Sequence, residues 1–436
     1  MRLYASRETE LKTLSQVAPD DAALTDDQVT TLVTDAMPAA DYRGRRILLI
    51  VPDHTRTAPV GLMFKAIHRQ VGEAAAALDV MIALGTHPPM SEAAICERLE
   101  ITAEEREGEY ASVQFHNHEW DNPAALRDLG TIPAADIAEL SGGRFEMELP
   151  VQINARLFDY DQVIIIGPVF PHEVVGFSGG NKYLFPGVSG PELLNFFHWL
   201  GAVITNPRII GHKHTAVRKV VDRAGAMVDL DKRCFAMVVR PNKSLAGLFY
   251  GTPETAWSDA ADLSDQTHIV YKERPFHTIL SCAPPMYDDV WVGGKCMYKL
   301  EPVLADGGEL IIYAPHIRDI SHTHEAGLRA IGYHCSAWLL EHWEKYKHHP
   351  WGLLAHSSHV KGIGEVVDDV EQPRANVSLA TGLSADLCRE INLGYRDPAT
   401  IDVETFADRE DEGVLFVRKA GEMLYRLKDP PAWATP

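Results

Sequence analysis

The sequence predicts an α/β protein whose sheets are mostly parallel and Rossmann-like. Apolar runs of strand length alternate with segments of helical spacing, and polar loops separate them. The chain has 436 residues, of which 46% are hydrophobic, so it can supply more than one core. We predict two α/β domains, residues 1–268 and 269–436.

Three strand–loop–helix units are predicted in the first domain. RRILLIVPD (45–53) precedes a segment of helical spacing, ALDVMIALGTHPP (77–89) precedes a predicted helix over 91–99, and DQVIIIGPVFPHE (161–173) precedes a glycine-rich loop and a helix over 191–200. Residues 256–268 are predicted to be rich in loops. The second domain then has FHTILSCAPPM (276–286), a predicted helix over 291–305, and the apolar run GGELIIYAPH (307–316).

The composition excludes several classes of function. A formal charge of −20 disfavours nucleic acid as a partner, because phosphates require clustered Lys and Arg. The first residues contain no apolar stretch of signal-peptide type, and no later run approaches a membrane span, so we expect a cytoplasmic protein without a membrane partner. The cysteines form no CxxC pair, so reduced thiols are expected rather than disulfides or a thiolate zinc site.

Polar side chains follow all three predicted strands of the first domain. Asp53, Thr55 and Arg56 follow the first strand, His87 the second and His172 the third. In open α/β sheets, ligands bind beyond the carboxyl ends of the strands. Arginine can hold a carboxylate or phosphate in bidentate fashion, and histidine can exchange protons near neutral pH. For each residue alone, a polar turn or a structural loop histidine is the simpler interpretation, but their convergence at one sheet edge favours a site.

The segment 171–198 carries the most specific pattern. Lys182 lies ten residues after His172 and sixteen before His198, behind the turn Ser178-Gly179-Gly180. The letters GFSGG match the GxSxG nucleophile elbow of hydrolases, but the elbow requires a helix immediately afterwards, and NKYLFPG is poor helix sequence. The sequence therefore disfavours a serine hydrolase.

Residues 316–362 contain nine of the 20 histidines together with several tryptophans and tyrosines. The adjacent pair His348–His349 cannot share one helix face, and no carboxylate stands at zinc-helix spacing. We therefore favour packed aromatic residues and surface histidines over a metal site in this segment. Five other histidines are also interpreted as structural: His54, His116, His118, His212 and His214.

The motifs DHTR (53–56), GTHPP (85–89) and PHEVVGFSGGNKYLFPG (171–187), followed by His198, resemble the nickel-dependent lactate racemase family. The resemblance implies a nickel-pincer nucleotide, made by separate cofactor-synthesis enzymes, that is joined to Lys182 through a thioamide and has His198 as its protein nickel ligand. It also implies that His87 and His172 are the catalytic pair, one for each face of a 2-hydroxy acid, and that the active site lies in the cleft between the two domains.

The same resemblance suggests the remaining site roles. Arg56 and Lys295 would hold the substrate carboxylate. Contacts to the nucleotide would come from Asp53, Thr55, Ser178, Gly179 and Gly180. In the family, a Tyr–Gln pair precedes the lysine, whereas MYDDVWVGGKC (286–296) puts Trp291 and Val292 at those positions. We therefore expect racemisation or epimerisation of a small-molecule 2-hydroxy acid other than lactate.

Two alternatives remain open. A nicotinamide-dependent oxidoreductase would share the layout, but no GxGxxG follows the first strand. A non-catalytic nickel- or nucleotide-binding homologue would need neither catalytic histidine, and the chain has both His87 and His172. The sequence leaves open whether the protein forms a homo-oligomer.

Overall fold

The computed structural model describes residues 13–19 and 22–435. Two mostly parallel sheets dominate it, one of seven strands and one of five, which confirms the predicted α/β fold class. Within these residues, no helix combines the length and apolar character needed to cross a membrane.

The first half of the chain forms the seven-stranded sheet and two small hairpins. Its strands are β1 (Leu14–Val17), β2 (Arg46–Pro52), β3 (Ala77–Ala83), β4 (Phe115–Asn117), β5 (Leu126–Ile132), β6 (Leu149–Asn154), β7 (Gln162–Pro168), β8 (Pro171–His172), β9 (Gly176–Phe177), β10 (Asp231–Val239) and β11 (Leu245–Gly251). The sheet order is β1-β11-β10-β7-β2-β3-β4. The five strands from β10 to β4 are parallel, and β11 and β1 add an antiparallel edge.

Helices cover both faces of this sheet. They are α1 (Asp26–Ala36), α2 (Val60–Val71), α3 (Glu92–Arg98), α4 (Ala103–Glu107), α5 (Ala134–Leu140), α6 (Pro191–Ile204), α7 (Ala216–Gly225) and α8 (Pro253–His268). Successive strand residues point to opposite faces, so Leu48 and Ile165 pack in one core, and Leu49 and Ile164 in the other. Burial on both faces explains why β2 and β7 are continuous apolar runs.

The prediction of loops over 256–268 was wrong, because these residues lie in α8. Thr252 caps the helix reciprocally with Thr255, and Pro253 occupies the first turn. Ala256, Trp257, Ala260 and Ala261 are buried at helical spacing, whereas the serines and aspartates that suggested a loop lie mostly on the other face.

The second half of the chain forms the five-stranded parallel sheet and two separate two-stranded sheets. Its strands are β12 (Ile269–Lys272), β13 (Phe276–Cys282), β14 (Leu304–Ala314), β15 (Gly364–Val367), β16 (Val370–Pro373), β17 (Asn376–Thr381), β18 (Gly394–Tyr395), β19 (Val414–Val417) and β20 (Leu424–Leu427). Its helices are α9 (Val290–Gly293), α10 (Lys295–Tyr298), α11 (Glu325–Ile331), α12 (Ser336–Glu341), α13 (Trp343–Tyr346), α14 (Trp351–Lys361) and α15 (Ala385–Glu390). The sheet order is β18-β17-β14-β13-β19.

The single helix predicted over 291–305 was also wrong. Two short helices, α9 and α10, meet at Gly294, and β14 begins at Leu304. The Gly-Gly step and Pro302 are poor in a helix interior, which accounts for the breaks.

Helices α6 and α14 join the two halves of the chain. They pack against each other, and Trp199 of α6 stacks on Trp343 with ring centroids 5.7 Å apart. Leu354 of α14 belongs to the same apolar cluster. This packing brings elements of the second half against the carboxyl ends of β2, β3 and β7. The division at residue 268 stays a prediction.

Candidate active site

A cavity of about 460 Å³ lies where the loops after β2, β3 and β7 face residues of the second half. Its volume is in the range of small-molecule and cofactor sites. The structure brings all of the predicted site residues except Gly180 to its wall. These are Asp53, Thr55, Arg56, His87, His172, Ser178, Gly179, Lys182, His198 and Lys295.

Asp53 and His87 form a hydrogen-bonded pair across two neighbouring strand ends. Asp53 is 3% exposed, and its Oδ2 accepts from Nδ1 of His87 at 2.6 Å. Its Oδ1 accepts from the hydroxyl and the backbone N–H of Thr55, at 2.6 and 3.2 Å. Burial alone would raise the pKa of Asp53, but the hydrogen bond and charge of His87, with Thr55 and Arg56, hold that pKa well below its usual value. Asp53 therefore fixes the orientation of His87, and its predicted contact with a nucleotide stays a prediction.

The Arg98 side chain of α3 stabilises the loop that carries Arg56 by hydrogen bonds to its backbone. The Arg98 guanidinium donates to the carbonyl oxygens of Pro52 at 3.1 Å, Arg56 at 2.8 Å and Ala58 at 3.3 Å. The Arg56 side chain donates to the Thr55 hydroxyl at 3.1 Å. Arg56 therefore reaches the cavity from a backbone that Arg98 holds in place. No sequence pattern indicated this role of Arg98.

His172 is buried, at 6% exposure, and lines the same cavity. The backbone N–H of Val174 donates to its Nδ1 at 3.2 Å, which favours the tautomer with the proton on Nε2. Burial, followed by the charges of Lys182 and Arg56, lowers the pKa of His172 well below its usual value. The Glu173 carboxylate lies 3.4 Å from the same Nδ1. His172 is therefore neutral near pH 7. The Glu173 carboxylate lies close to its Nδ1 and not to Nε2.

The Ser178-Gly179-Gly180 turn is shaped by protein contacts. The Ser178 hydroxyl donates to the Pro168 carbonyl and accepts from the Phe170 N–H, both at 3.0 Å. A Cβ at Gly180, where φ is +58°, would lie 2.8 Å from the carbonyl oxygen of Pro253. A 3-10 turn rather than an α-helix follows, over Gly180–Tyr183. This arrangement agrees with the prediction against a nucleophile elbow, and the predicted contacts of this turn to a nucleotide stay predictions.

Arg218 of α7 supports the turn from inside the protein. It is 3% exposed and donates to the carbonyl oxygens of Phe177 at 2.5 Å and Gly179 at 3.3 Å. Its guanidinium lies 4.0 Å from the centre of the Trp257 ring. Sequence reasoning missed Arg218, because a single arginine in an amphipathic helix gives no indication that it is buried.

Lys182 has the environment of a reactive amine. Burial, followed by the positive charge of Arg56, lowers its pKa to about 7, while Glu173 opposes the shift and Arg218 adds to it. A substantial fraction of this amine is therefore unprotonated near neutral pH. An unprotonated lysine can act as a nucleophile toward acyl or thioacyl groups.

His198 of α6 has one ring nitrogen committed to the protein. Its Nδ1 donates to the backbone carbonyl of Leu194 at 2.7 Å, which leaves the lone pair of Nε2 available to the cavity. Burial lowers the pKa of His198, so the ring is neutral near pH 7. A backbone carbonyl that fixes the tautomer in this way is the usual support for a histidine metal ligand.

The second half contributes Lys295 from α10. Its ammonium lies 5.1 Å from the centre of the Tyr287 ring. Burial, followed by the charge of Arg56, lowers its pKa to about 8, so it is mostly protonated at pH 7. Lys299, one turn later, donates to the backbone carbonyl of Glu422 at 2.8 Å. Lys295 and Arg56 thus bring two positive charges to the cavity from different halves of the chain.

The His-rich segment also reaches the cavity, which sequence reasoning did not predict. His324, His356 and His359 line it, and Trp291 lies between His356 at 4.1 Å and His324 at 4.7 Å, measured between ring centroids. The spacing of His356 and His359, one helical turn apart, was the available signal. The prediction of packed aromatic residues is correct for this stacking, and the prediction of surface histidines is wrong for His356 and His359, which are buried.

Three further potential metal ligands lie in this wall, and they are engaged with one another. Among the residues that the structure describes, Asp288, Asp289 and His322 have ligand atoms within 4.8 Å of one another. Asp289 accepts from the backbone N–H groups of Val292 and His322, and Asp288 lies 3.2 Å from the His322 ring. We interpret this group as a helix cap and an exposed ion pair.

Comparison with known proteins identifies relatives. Residues 31–209 match the family model "Lactate racemase N-terminal domain". Lactate racemases of Thermoanaerobacterium thermosaccharolyticum and Lactiplantibacillus plantarum are each 23% identical over 62% of this chain. The matched regions cover 60% and 61% of those proteins, so the chain aligns with less than two thirds of their length.

Two solved structures are similar over nearly the whole chain. The crystal structure of a Thermotoga maritima protein is 32% identical, with a TM-score of 0.82 over 93% of this chain and 99% of that one. The lactate racemase apoprotein of T. thermosaccharolyticum is 18% identical, with a TM-score of 0.69 over 91% of this chain and 93% of that one, and shows the same fold. The similarity to the apoprotein shows a shared fold. The family-model match over residues 31–209 and the two lactate racemase relatives show that the chain belongs to the lactate racemase family through its N-terminal domain.

Proposed function

We propose that this protein is a racemase or epimerase of a 2-hydroxy acid, and that it works with a nickel-pincer nucleotide covalently bound to Lys182. The observation that carries the proposal is the meeting, around one cavity, of a lysine with a lowered pKa, a histidine with a free Nε2, and two further histidines at strand ends. Family membership supports the same conclusion.

The residues of the cavity fit this cofactor. The partly unprotonated amine of Lys182 suits a covalent link to a thioacid arm. The neutral imidazole of His198, fixed by the Leu194 carbonyl, would hold the nickel of the cofactor, since imidazole nitrogen suits nickel as a ligand. When bound, the cofactor supplies a hydride acceptor and donor, and the protein supplies binding, orientation and proton transfer.

Racemisation requires the hydrogen on C2 to leave as a hydride and the hydroxyl hydrogen to leave as a proton. His87 is suited to take that proton, because its Nδ1–H donates to Asp53 and leaves Nε2 as an acceptor. The Asp53 carboxylate stabilises the imidazolium that forms. When the planar 2-oxo acid is reduced again, a protonated histidine would return a proton to the oxygen and so restore the hydroxyl group.

His172 is suited to serve the other face of the substrate. In the tautomer favoured by the Val174 N–H, its Nε2 donates a hydrogen bond to the substrate oxygen. In the other tautomer, a proton on Nδ1 would face Glu173, and Nε2 could accept the hydroxyl proton. The two histidines thus differ in their carboxylate partners. Asp53 lies 2.6 Å from Nδ1 of His87, whereas Glu173 lies 3.4 Å from Nδ1 of His172.

Arg56 and Lys295 are the proposed binding groups for the substrate carboxylate. The Arg56 backbone is braced by Arg98, so its planar guanidinium can offer a bidentate contact. Lys295 adds a point charge from the second half of the chain. Binding between the two halves would exclude water from the proton and hydride transfers.

The test is to produce the protein together with the cofactor-synthesis enzymes, and to measure intact mass, nickel content and racemisation of a panel of 2-hydroxy acids. We expect a mass adduct on Lys182, about one nickel per chain, and conversion of one stereoisomer into the other. Lys182→Ala should remove the adduct. As a matched control, Lys232→Ala should keep it, because Lys232 is another partly buried lysine with a lowered pKa but lies outside the cavity.

His198→Ala should retain the adduct on Lys182 and lose nickel on dialysis, because the link and the protein ligand are separate residues. Wild-type protein that carries neither adduct nor nickel under these conditions would contradict the proposed function. Full nickel retention in His198→Ala would exclude His198 as the ligand and leave the covalent link unaffected.

A further inference from the structure

The His-rich segment supplies a wall of the cavity that the proposed mechanism does not use. Helix α14 carries His356 and His359 one turn apart, and both line the cavity. The helix packs against α6, which carries His198. These two buried histidines therefore lie beside the proposed reaction centre and need an explanation.

Packing accounts for His356 but not for His359. His356 stacks on Trp291, with an interplanar angle of 28°, and its Nε2 lies 3.4 Å from the Tyr333 hydroxyl. His359 is only 5% exposed, yet its Nε2 is buried without a hydrogen-bond partner anywhere in residues 13–19 and 22–435. A buried polar atom with no partner is costly, so a site that keeps one is expected to pair it with a ligand.

The charge state of His356 and His359 indicates what kind of ligand group they would bind. Burial, followed by the neighbouring histidines, lowers the pKa of His356 to about 3, and burial lowers that of His359 to about 4. Both rings are therefore neutral at pH 7, and a neutral imidazole offers one donor and one acceptor. That combination matches a hydroxyl group better than a second carboxylate.

The position of Glu173 also favours a hydroxyl group over a second carboxylate as the ligand. Its carboxylate lines the same cavity, and its negative charge acts on His359 and on Tyr298, whose ring lies 6.1 Å from the His359 ring. A carboxylate accepts hydrogen bonds from hydroxyl groups and repels a second carboxylate. This part of the cavity thus combines an acceptor with a neutral imidazole.

We propose that His359, together with Glu173, binds a hydroxyl group of the substrate chain beyond C2, so that the substrate is a 2-hydroxy acid with at least one additional hydroxyl. This inference rests on the proposed function and assigns the substrate class of the same site. The carboxylate end of the substrate pairs with Arg56 and Lys295, and the hydroxylated end reaches the α14 wall.

The experiment compares polyhydroxy acids with a deoxy acid of similar length on the nickel-loaded protein. The polyhydroxy probes are D-gluconate, D-galactonate, D-xylonate and L-threonate, and the deoxy probe is 2-hydroxyhexanoate. Inversion at C2 is followed by chromatography that resolves the stereoisomers. We expect kcat/KM to be at least about tenfold higher for the best polyhydroxy acid, because one unmade hydrogen bond in a buried site is worth about that factor.

His359→Phe keeps a planar ring and removes both nitrogens. It should lower kcat/KM for the best polyhydroxy acid about tenfold and leave that for 2-hydroxyhexanoate within about twofold. His348→Phe is the matched control, since His348 is exposed in the same segment and should change neither value. His359→Gln, which retains a donor and an acceptor, should restore most of the activity on the polyhydroxy acid.

Nickel content and Tm show whether each variant is folded and loaded. If His359→Phe does not load, His359→Leu, which also removes both ring nitrogens, provides the same comparison and should weaken the polyhydroxy acid selectively. A wild-type preference for 2-hydroxyhexanoate, or an equal loss on both substrates in His359→Phe, would overturn this inference and leave the proposed function intact. A loaded wild type that inverts no 2-hydroxy acid would instead overturn the proposed function.

Discussion

Replacing Asp53 by asparagine tests the pairing of a buried carboxylate with His87. The change keeps the shape of the side chain and removes the negative charge that lies 2.6 Å from Nδ1 of His87. A hydrogen bond to a charged group contributes about 1.5–3 kcal/mol, and each 1.4 kcal/mol is about a tenfold change in rate. Because His87 gains positive charge as the hydroxyl proton moves, kcat should fall by about 10-fold to 150-fold.

The assay is the inversion of the best substrate by nickel-loaded protein, with intact mass and nickel content measured on the same sample. Asp79→Asn is a suitable control, because Asp79 is another buried aspartate. It accepts from the Tyr160 hydroxyl and the Gln114 N–H, both at 2.7 Å, and does not line the cavity. This variant should lose stability and keep kcat once it is folded and loaded.

The same substitution has a consequence for stability that depends on pH. The folded-state pKa of Asp53 is lowered from 3.8, so its stabilising contribution is present above that value and is lost as pH falls below it. Asp53→Asn should therefore flatten the fall in the free energy of unfolding below about pH 4. An unchanged kcat in fully loaded Asp53→Asn would refute the role assigned to the Asp53–His87 pair. Loss of nickel loading in this variant would instead support the predicted contact between Asp53 and the nucleotide.

The glycine-rich loop supports three other predictions. In protein made without the cofactor-synthesis enzymes, acylation of Lys182 should rise with pH, with a midpoint near its pKa of about 7. Peptide mass spectrometry measures this acylation, and a midpoint at the ordinary lysine value of 10.5 would contradict the lowered pKa. The same pKa predicts that stability rises with pH between about 7 and 10.5, because the unfolded chain binds more protons there. Gly180→Ala should lower Tm more than Gly143→Ala. Both glycines have positive φ, but only at Gly180 does the added Cβ lie 2.8 Å from a backbone oxygen, that of Pro253. Equal shifts in Tm would show that the close contact relaxes.

The fold class and the location of the site could be predicted because parallel sheets leave a clear signature. β2 and β7 are buried on both faces, so they appear as unbroken apolar runs, and the polar residues that end them stand out in the sequence. The family pattern then linked Lys182 and His198. Local spacing was enough for these residues, since they share one loop–helix segment.

The rest could not be predicted because it depends on tertiary contacts. Helix α8 was taken for loops since its apolar stripe is built largely from small alanines, and the polar residues on its outer face resemble a loop. Arg98 and Arg218 look like ordinary helix arginines until the backbone carbonyls they hold are known. His359 lies 161 positions beyond His198, and only the packing of α14 on α6 brings it to the cavity.

The cavity is assembled from two sheets that belong to different parts of the chain, and this arrangement has an evolutionary consequence. The residues proposed to carry the cofactor and move the proton lie on loops of the first sheet, whereas Trp291, His356 and His359 belong to elements around the second. Mutations in the second set can alter which molecule is accepted without disturbing the first. Such a layout allows one reaction to diversify across many metabolites through changes confined to a single wall.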